Sequence, residues 1–258
     1  MARSKITLYT FQYTKADLDK APAQDRLFFL MTTGLANDIQ MLNKTLAVII
    51  DNESSESTEI EKQGNNSFAI LILRMLCGRL SEGWKLLNHF MITLKSEYES
   101  DMTEVGRAGL CGLDTYFNLR KGKHSLISKI RNRVAFHSDQ SLVEAAYNSL
   151  DPKTELGDYL HETIGNTLYF SAELLQFESL TKLMAGQPID RALDQLWDEV
   201  QQQTKHFNDV IMSFASVFCE RHLPNAKLAD ETDTIEVCQF GELNLRYFSE
   251  LRPPKSET

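Results

Sequence analysis

The chain has 258 residues, 42% of them hydrophobic and 24% charged, with 12 glycines and six prolines. Those proportions fit a globular chain with a sizeable core and exclude collagen-like, disulfide-scaffolded and disordered classes. A formal net charge of −9 excludes a broad nucleic-acid-coating surface, because non-specific affinity for a polyanion rests on Lys and Arg meeting phosphates.

Residues 6–13, Ile-Thr-Leu-Tyr-Thr-Phe-Gln-Tyr, alternate with β-branched and aromatic side chains and predict a strand. From about 24 to 50, Leu27, Leu30, Met31, Leu35, Ile39, Leu42 and Leu46 recur at helical spacing and predict an amphipathic helix. The polar, acidic stretch 51–66 predicts a mobile loop. A long central helix is expected over 67–98, carrying Phe68, Leu71, Ile72, Met75, Leu76, Leu80, Trp84 and Leu87. Shorter helices are expected over 103–118 and 123–137, with a restart at the capping-box pattern of Ser141 and Glu144. Two further helices are expected over about 155–185 and 189–222, separated by Gly186-Gln187-Pro188. Residues 234–240 and 242–248 predict two strands around Gly241, able to pair with the N-terminal strand. The expected class is therefore mostly α, a helical bundle with a small β element from the two termini. Its division is a terminal strand region in 1–20, a helical domain in 21–223 and a C-terminal extension in 224–258.

Cys77, Cys111, Cys219 and Cys238 stand far apart, with no Cys-x-x-Cys pair, so they read as buried thiols rather than metal or redox groups. His161, His206 and His222 lack a second histidine one turn away and read as surface residues. No metal or other cofactor is expected. Nor is there a glycine-rich phosphate loop, a dinucleotide fingerprint or a Gly-x-Ser-x-Gly elbow. The first residues lack the continuous apolar region of a signal peptide, and no apolar run approaches the roughly 20 residues of a membrane span. A cytoplasmic location without membrane contact is expected.

Charge is unevenly distributed. Residues 151–258 hold nine basic and 19 acidic residues, net −10, whereas residues 66–150 are net +3. Within that middle third, Arg120, Lys121, Lys123, Lys129, Arg131 and Arg133 fall between Asp114 and Asp139 with no acidic residue among them. This acid-free run leads into His137. On a helix, Ile127, Ile130 and Val134 share a face, with Arg131 and His137 on its opposite borders and Arg133 one turn before His137. If that seam packed on a second copy about a twofold axis, Arg and His from both chains would converge at its rim. Arginine offers a permanent bidentate clamp for a phosphodiester, and histidine exchanges a proton near neutral pH; neither needs a metal.

Arg131-Asn132, four further residues and then His137 resemble the motif of the HEPN superfamily: an arginine, a polar residue and a later histidine. The wording Ile-Arg-Asn-Arg-Val-Ala-Phe-His-Ser-Asp is especially similar to the subgroup associated with bacterial abortive infection. The resemblance implies a helical bundle that dimerises through the motif helix and, in active members, cuts RNA without metal. It assigns Arg131 and His137 as the catalytic pair and Asn132 as the supporting polar residue. Arg120, Lys121, Lys123, Lys129 and Arg133 would then hold RNA. A ribose 2′-hydroxyl would attack the adjacent phosphate, with His137 as acid or base and Arg131 stabilising charge on the phosphoryl oxygens.

Other readings of the same residues stay open. Arg131, Arg133 and His137 also suit a solvated helix face, with Asp139 capping the next helix or orienting the imidazole. The chain would then be a non-catalytic helical interaction or RNA-binding module, or a regulatory unit of a defence system, whose acidic C-terminal region engages a basic protein.

Overall fold

The computed structural model of the chain describes residues 3–51, 57–118, 124–135, 139–184, 188–228 and 233–249. The fold is mostly α with a small terminal β element, as composition and periodicity predict. Strand β1 (Arg3–Leu8) and the two-residue β2 (Phe11–Gln12) precede a single helical turn, α1 (Lys15–Leu18). Two long helices follow, α2 (Ala23–Asp51) and α3 (Glu59–His89). The chain then breaks into a short turn, α4 (Met91–Thr93), and a π-helical turn over Leu94–Tyr98. Next come α5 (Glu104–Phe117), α6 (Leu126–Ile130), a second π-helical turn over Arg131–Ala135, and α7 (Gln140–Asn148). Helices α8 (Phe170–Leu183) and α9 (Ile189–His222) complete the bundle, followed by β3 (Lys227–Leu228) and β4 (Asp233–Cys238).

Helix α3 is the axis of the bundle, and α2, α6, α8 and α9 all pack on it. It starts earlier than its apolar stripe suggests. Thr58 and Glu61 form a reciprocal capping box, with the Thr58 amide donating to the Glu61 carboxylate at 2.8 Å, so residues 59–66 are helical rather than loop. Residues 52–56 of the expected acidic loop lie outside the described residues. Gly83 on α3 is where three helices meet: a Cβ there would stand 2.6 Å from Leu35 Cδ2 of α2 and 3.0 Å from Phe207 Cε1 of α9.

On α2 the buried face runs through Phe28, Phe29, Thr32, Leu35, Ile39, Leu46 and Ile49. Leu27 and Met31, assigned to the core by spacing, are each 53% exposed. Where apolar residues surround a helix on all sides, two seams fit equally well, and the stacked Phe29–Phe218 pair fixes the one that is used.

Helices α5 and α9 pack along each other through Gly106, Gly109 and Gly112. A Cβ at Gly109 would stand 2.9 Å from the His206 carbonyl oxygen, and one at Gly106 or Gly112 would overlap Ser213 or the His206 ring. The missing side chains permit the close approach.

Three expectations fail after residue 140. The cap of α7 is Asp139, which accepts from the Leu142 amide at 3.2 Å, and not Ser141 with Glu144. No α-helix covers 155–169, which holds only a 3₁₀ turn at Ile164–Asn166. Tyr159 and Leu168 instead form an antiparallel bridge, and Thr167 Oγ1 accepts from the His161 amide at 3.2 Å. Gly157, Gly165 and the β-branched Thr163 and Thr167 weaken a helix there, and Asp158 ties the start of α8 by accepting from the Ser171 amide and hydroxyl. The expected strand over 242–248 is also absent. A 3₁₀ turn at Phe240–Glu242 leads into irregular chain pinned by Tyr247, whose amide donates to Asn65 Oδ1 and whose hydroxyl donates to the Thr167 carbonyl.

The termini do pair. β1 and β4 run antiparallel from Arg3↔Cys238 to Leu8↔Asp233, with β2 on β3, and an Arg3–Glu236 ion pair at 2.9 Å crosses the ladder. Of the four cysteines only Cys77 is fully buried, and burial pushes its thiol up; Cys111 and Cys238 are exposed. No described helix is long and apolar enough to cross a membrane.

Candidate functional site around Arg131

The motif segment begins at Ser125, which caps α6 by accepting from the Ser128 amide at 3.3 Å. Ile127, Ile130 and Val134 are buried as the spacing predicts, but in the chain's own core against α3 and α8. That seam is therefore not free to receive a second copy, which corrects the expected route to a motif-helix dimer. The polar side chains that remain outward are Lys129 and Asn132, both exposed, and the half-buried Arg131 and Arg133.

At Arg131 the backbone changes from α to π, and the wider turn alters the angular offset on which the face assignments rested. Arg131 Nη2 pairs with Glu82 of α3 at 2.6 Å, and its Nη1 donates to Asn132 Oδ1 at 2.8 Å. Its buried Nε has no hydrogen-bond partner among the described residues. Glu82 also pairs with Lys85 at 2.8 Å, and Lys85 first, then Arg131, holds its carboxyl below the usual range. Arg133 Nε donates to Asp139 at 2.6 Å. The Ser141 hydroxyl and then the Arg133 guanidinium lower the Asp139 carboxyl to about 2. Two arginines of the acid-free run are thus met by carboxylates from outside it. Lys129 has no ion pair among the described residues. His137, Arg120, Lys121 and Lys123 lie outside the described residues.

Sequence reasoning missed the clamp that orients this segment. Tyr116 at the end of α5 donates its hydroxyl proton to Glu199 of α9 and accepts from the Ile127 amide at 3.3 Å. It thereby satisfies one of the unpaired donors in the first turn of α6. Burial, followed by Glu199, pushes the phenol up, so it stays protonated and keeps donating. Beside the clamp lies a cleft of 740 Å³ that includes His124, Glu199, Gln203 and His206. His206 is half-buried rather than superficial, and burial lowers its pKa, favouring a neutral ring. His222 is half-buried as well, 3.1 Å from the Tyr98 hydroxyl, whereas His161 is exposed as expected. The Gly106-x-x-Gly109-x-x-Gly112 spacing was the one sequence signal that α5 is held close to α9.

Among the described residues no group of three or more His, Cys, Asp or Glu side chains is arranged to hold a metal ion. A phosphate taking the place of Glu82 would meet Arg131 Nη2, with Nη1 held by Asn132 and Nε buried. Comparison with known proteins gives no relative: no family model, no curated protein and no solved structure matches the chain.

Proposed function

We propose that the protein is a HEPN-like module that engages RNA at Arg131 and His137 and cuts it without a metal, in bacterial stress or phage defence. The observation that carries this reading is the Arg131-Asn132…His137 motif at the end of the one acid-free basic run, with a π-helical turn beginning at its arginine. Such turns recur at functional sites because they re-aim side chains from a regular helix. In the proposed reaction a ribose 2′-oxygen bonds to the adjacent phosphorus and the 5′-oxygen leaves. His137 moves the proton, Arg131 neutralises the phosphoryl oxygens, and Asn132 holds the guanidinium. Arg120, Lys121, Lys123, Lys129 and Arg133 supply the phosphate contacts. The module acts in the cytoplasm as a homodimer, and the two copies meet on the outward Lys129 and Asn132 side, since the apolar seam is occupied.

RNA cleavage in EDTA by wild type, Arg131→Ala and His137→Ala tests the reading. Wild type is expected to cut, and loss of an acid–base group to slow cleavage by about 10²–10⁴-fold. Absence of cleavage by the wild-type protein would refute a nuclease.

A second reading is a non-catalytic module that binds RNA, or a basic protein through its acidic C-terminal region. It is favoured by the ion pairs that occupy Arg131 and Arg133. RNA retained with unchanged affinity by His137→Ala, with no cleavage by either protein, would establish it.

A further inference from the structure

Far from any basic run, α2, α3, α8 and α9 enclose a cleft of 710 Å³, within the range of small-molecule pockets. Its wall is built from residues one turn apart on each helix, chiefly aliphatic, with Phe170, Phe177 and Trp197 supplying aromatic faces and Ala69 leaving depth. Two carboxylates line it, Glu178 of α8 and Asp194 of α9, and among the described residues no lysine, arginine or histidine does so. Neither carboxylate has an ion-pair partner among the described residues, although Glu178 receives a long hydrogen bond of 3.5 Å from Thr181. The 740 Å³ cleft beside Gly83 also holds two carboxylates, Asp38 and Glu82, but there each is paired with a cation of the same cleft, Arg79 and Lys85 respectively.

We infer that this cleft is a binding site for a small organic cation with an aromatic or aliphatic body. The apolar walls take the body, and burying it there is favourable in proportion to the area removed from water. The cationic head is met by Glu178 and Asp194, and the aromatic faces attract the same charge through their quadrupoles. An anion of equal size would gain the apolar contact but meet two negative groups with nothing to offset them.

Two nearly isosteric probes separate shape from charge: 1-naphthylmethylammonium and 1-naphthylacetate, titrated calorimetrically into the full chain. The ammonium is expected to bind one to one, and the carboxylate at least about tenfold more weakly. Glu178→Gln combined with Asp194→Asn should abolish that preference while the unfolding midpoint stays unchanged. Ala69→Phe should fill the cleft and abolish binding, with helical circular dichroism confirming the fold. Equal affinity for the two probes, a preference that survives in the double variant, or no uptake of the ammonium would each overturn the proposal.

Discussion

The two π-helical turns, Leu94–Tyr98 and Arg131–Ala135, share a backbone geometry and differ in what they do with it. The first turns inward. Leu94 and Tyr98 are fully buried, and the Tyr98 hydroxyl donates to Asp25 at 2.6 Å beside His222. The Arg221 guanidinium covers the same ring at 4.9 Å and is itself held by Asp101 and the Glu97 carbonyl. Through Tyr98 that knot joins Asp25 at the start of α2 to His222 at the end of α9, and Arg221 ties α9 to the turn itself. The second turn buries only Val134, keeps Arg131 and Arg133 half-exposed, and leaves one guanidinium nitrogen without a partner. A π turn is thus compatible with either closure or display. The partners that the rest of the fold supplies decide between them.

The largest expected effect comes from breaking the closed knot. Tyr98→Ala removes a buried aromatic ring and should cost about 3–5 kcal/mol in denaturant unfolding. Tyr116→Phe keeps the ring but strips the hydroxyl from the clamp, leaving the Ile127 amide unpaired. A cost of about 1–2 kcal/mol is expected, together with faster hydrogen exchange at Ile127. Glu82→Gln acts on the open turn. Because the pair with Arg131 is partly exposed, stability should change by less than about 1 kcal/mol, while RNA affinity rises by up to about fivefold at low salt. If affinity instead falls, Glu82 positions Arg131 rather than masking it.

The smallest effect is expected from acid. The Asp139 carboxyl is lowered from 3.8 to about 2 in the folded chain, so the stability it contributes is present above pH 4 and is lost as pH falls towards 2. Local fraying of α7 over that window, followed by the Leu142 amide resonance, should be absent in Asp139→Asn.

What the sequence made legible follows from how local each feature is. The Ile127, Ile130 and Val134 seam and the pairing strength of both termini are written in short-range periodicity. The ion pair of Arg131 with Glu82 is not, because it joins side chains from separate helices, and an acid-free run in sequence can still be neutralised in space. The early start of α3 was encoded by Thr58 and Glu61, but a polar, serine-rich stretch outweighed those two residues in a composition-based reading. Residues 155–169 carry apolar side chains at mixed spacing, and their glycines and threonines settle the conformation only in concert with the contacts of Asp158 and Thr167. The exposed Cys111 and Cys238 show the limit of residue-type burial preferences on a helix flank and an edge strand.

The three glycines of α5 carry a consequence for how this chain tolerates change. Tyr116 sits at the far end of the helix they hold against α9, and its hydroxyl must span from Glu199 to the first turn of the motif helix. An added methyl group at Gly109 would meet a carbonyl oxygen of α9, which cannot swing aside as a side chain can, so the whole rod would be levered outward. The alignment of the arginine-bearing turn is therefore calibrated by atoms that are missing from a different helix. Drift at those three positions would detune the motif while leaving every residue of the motif intact.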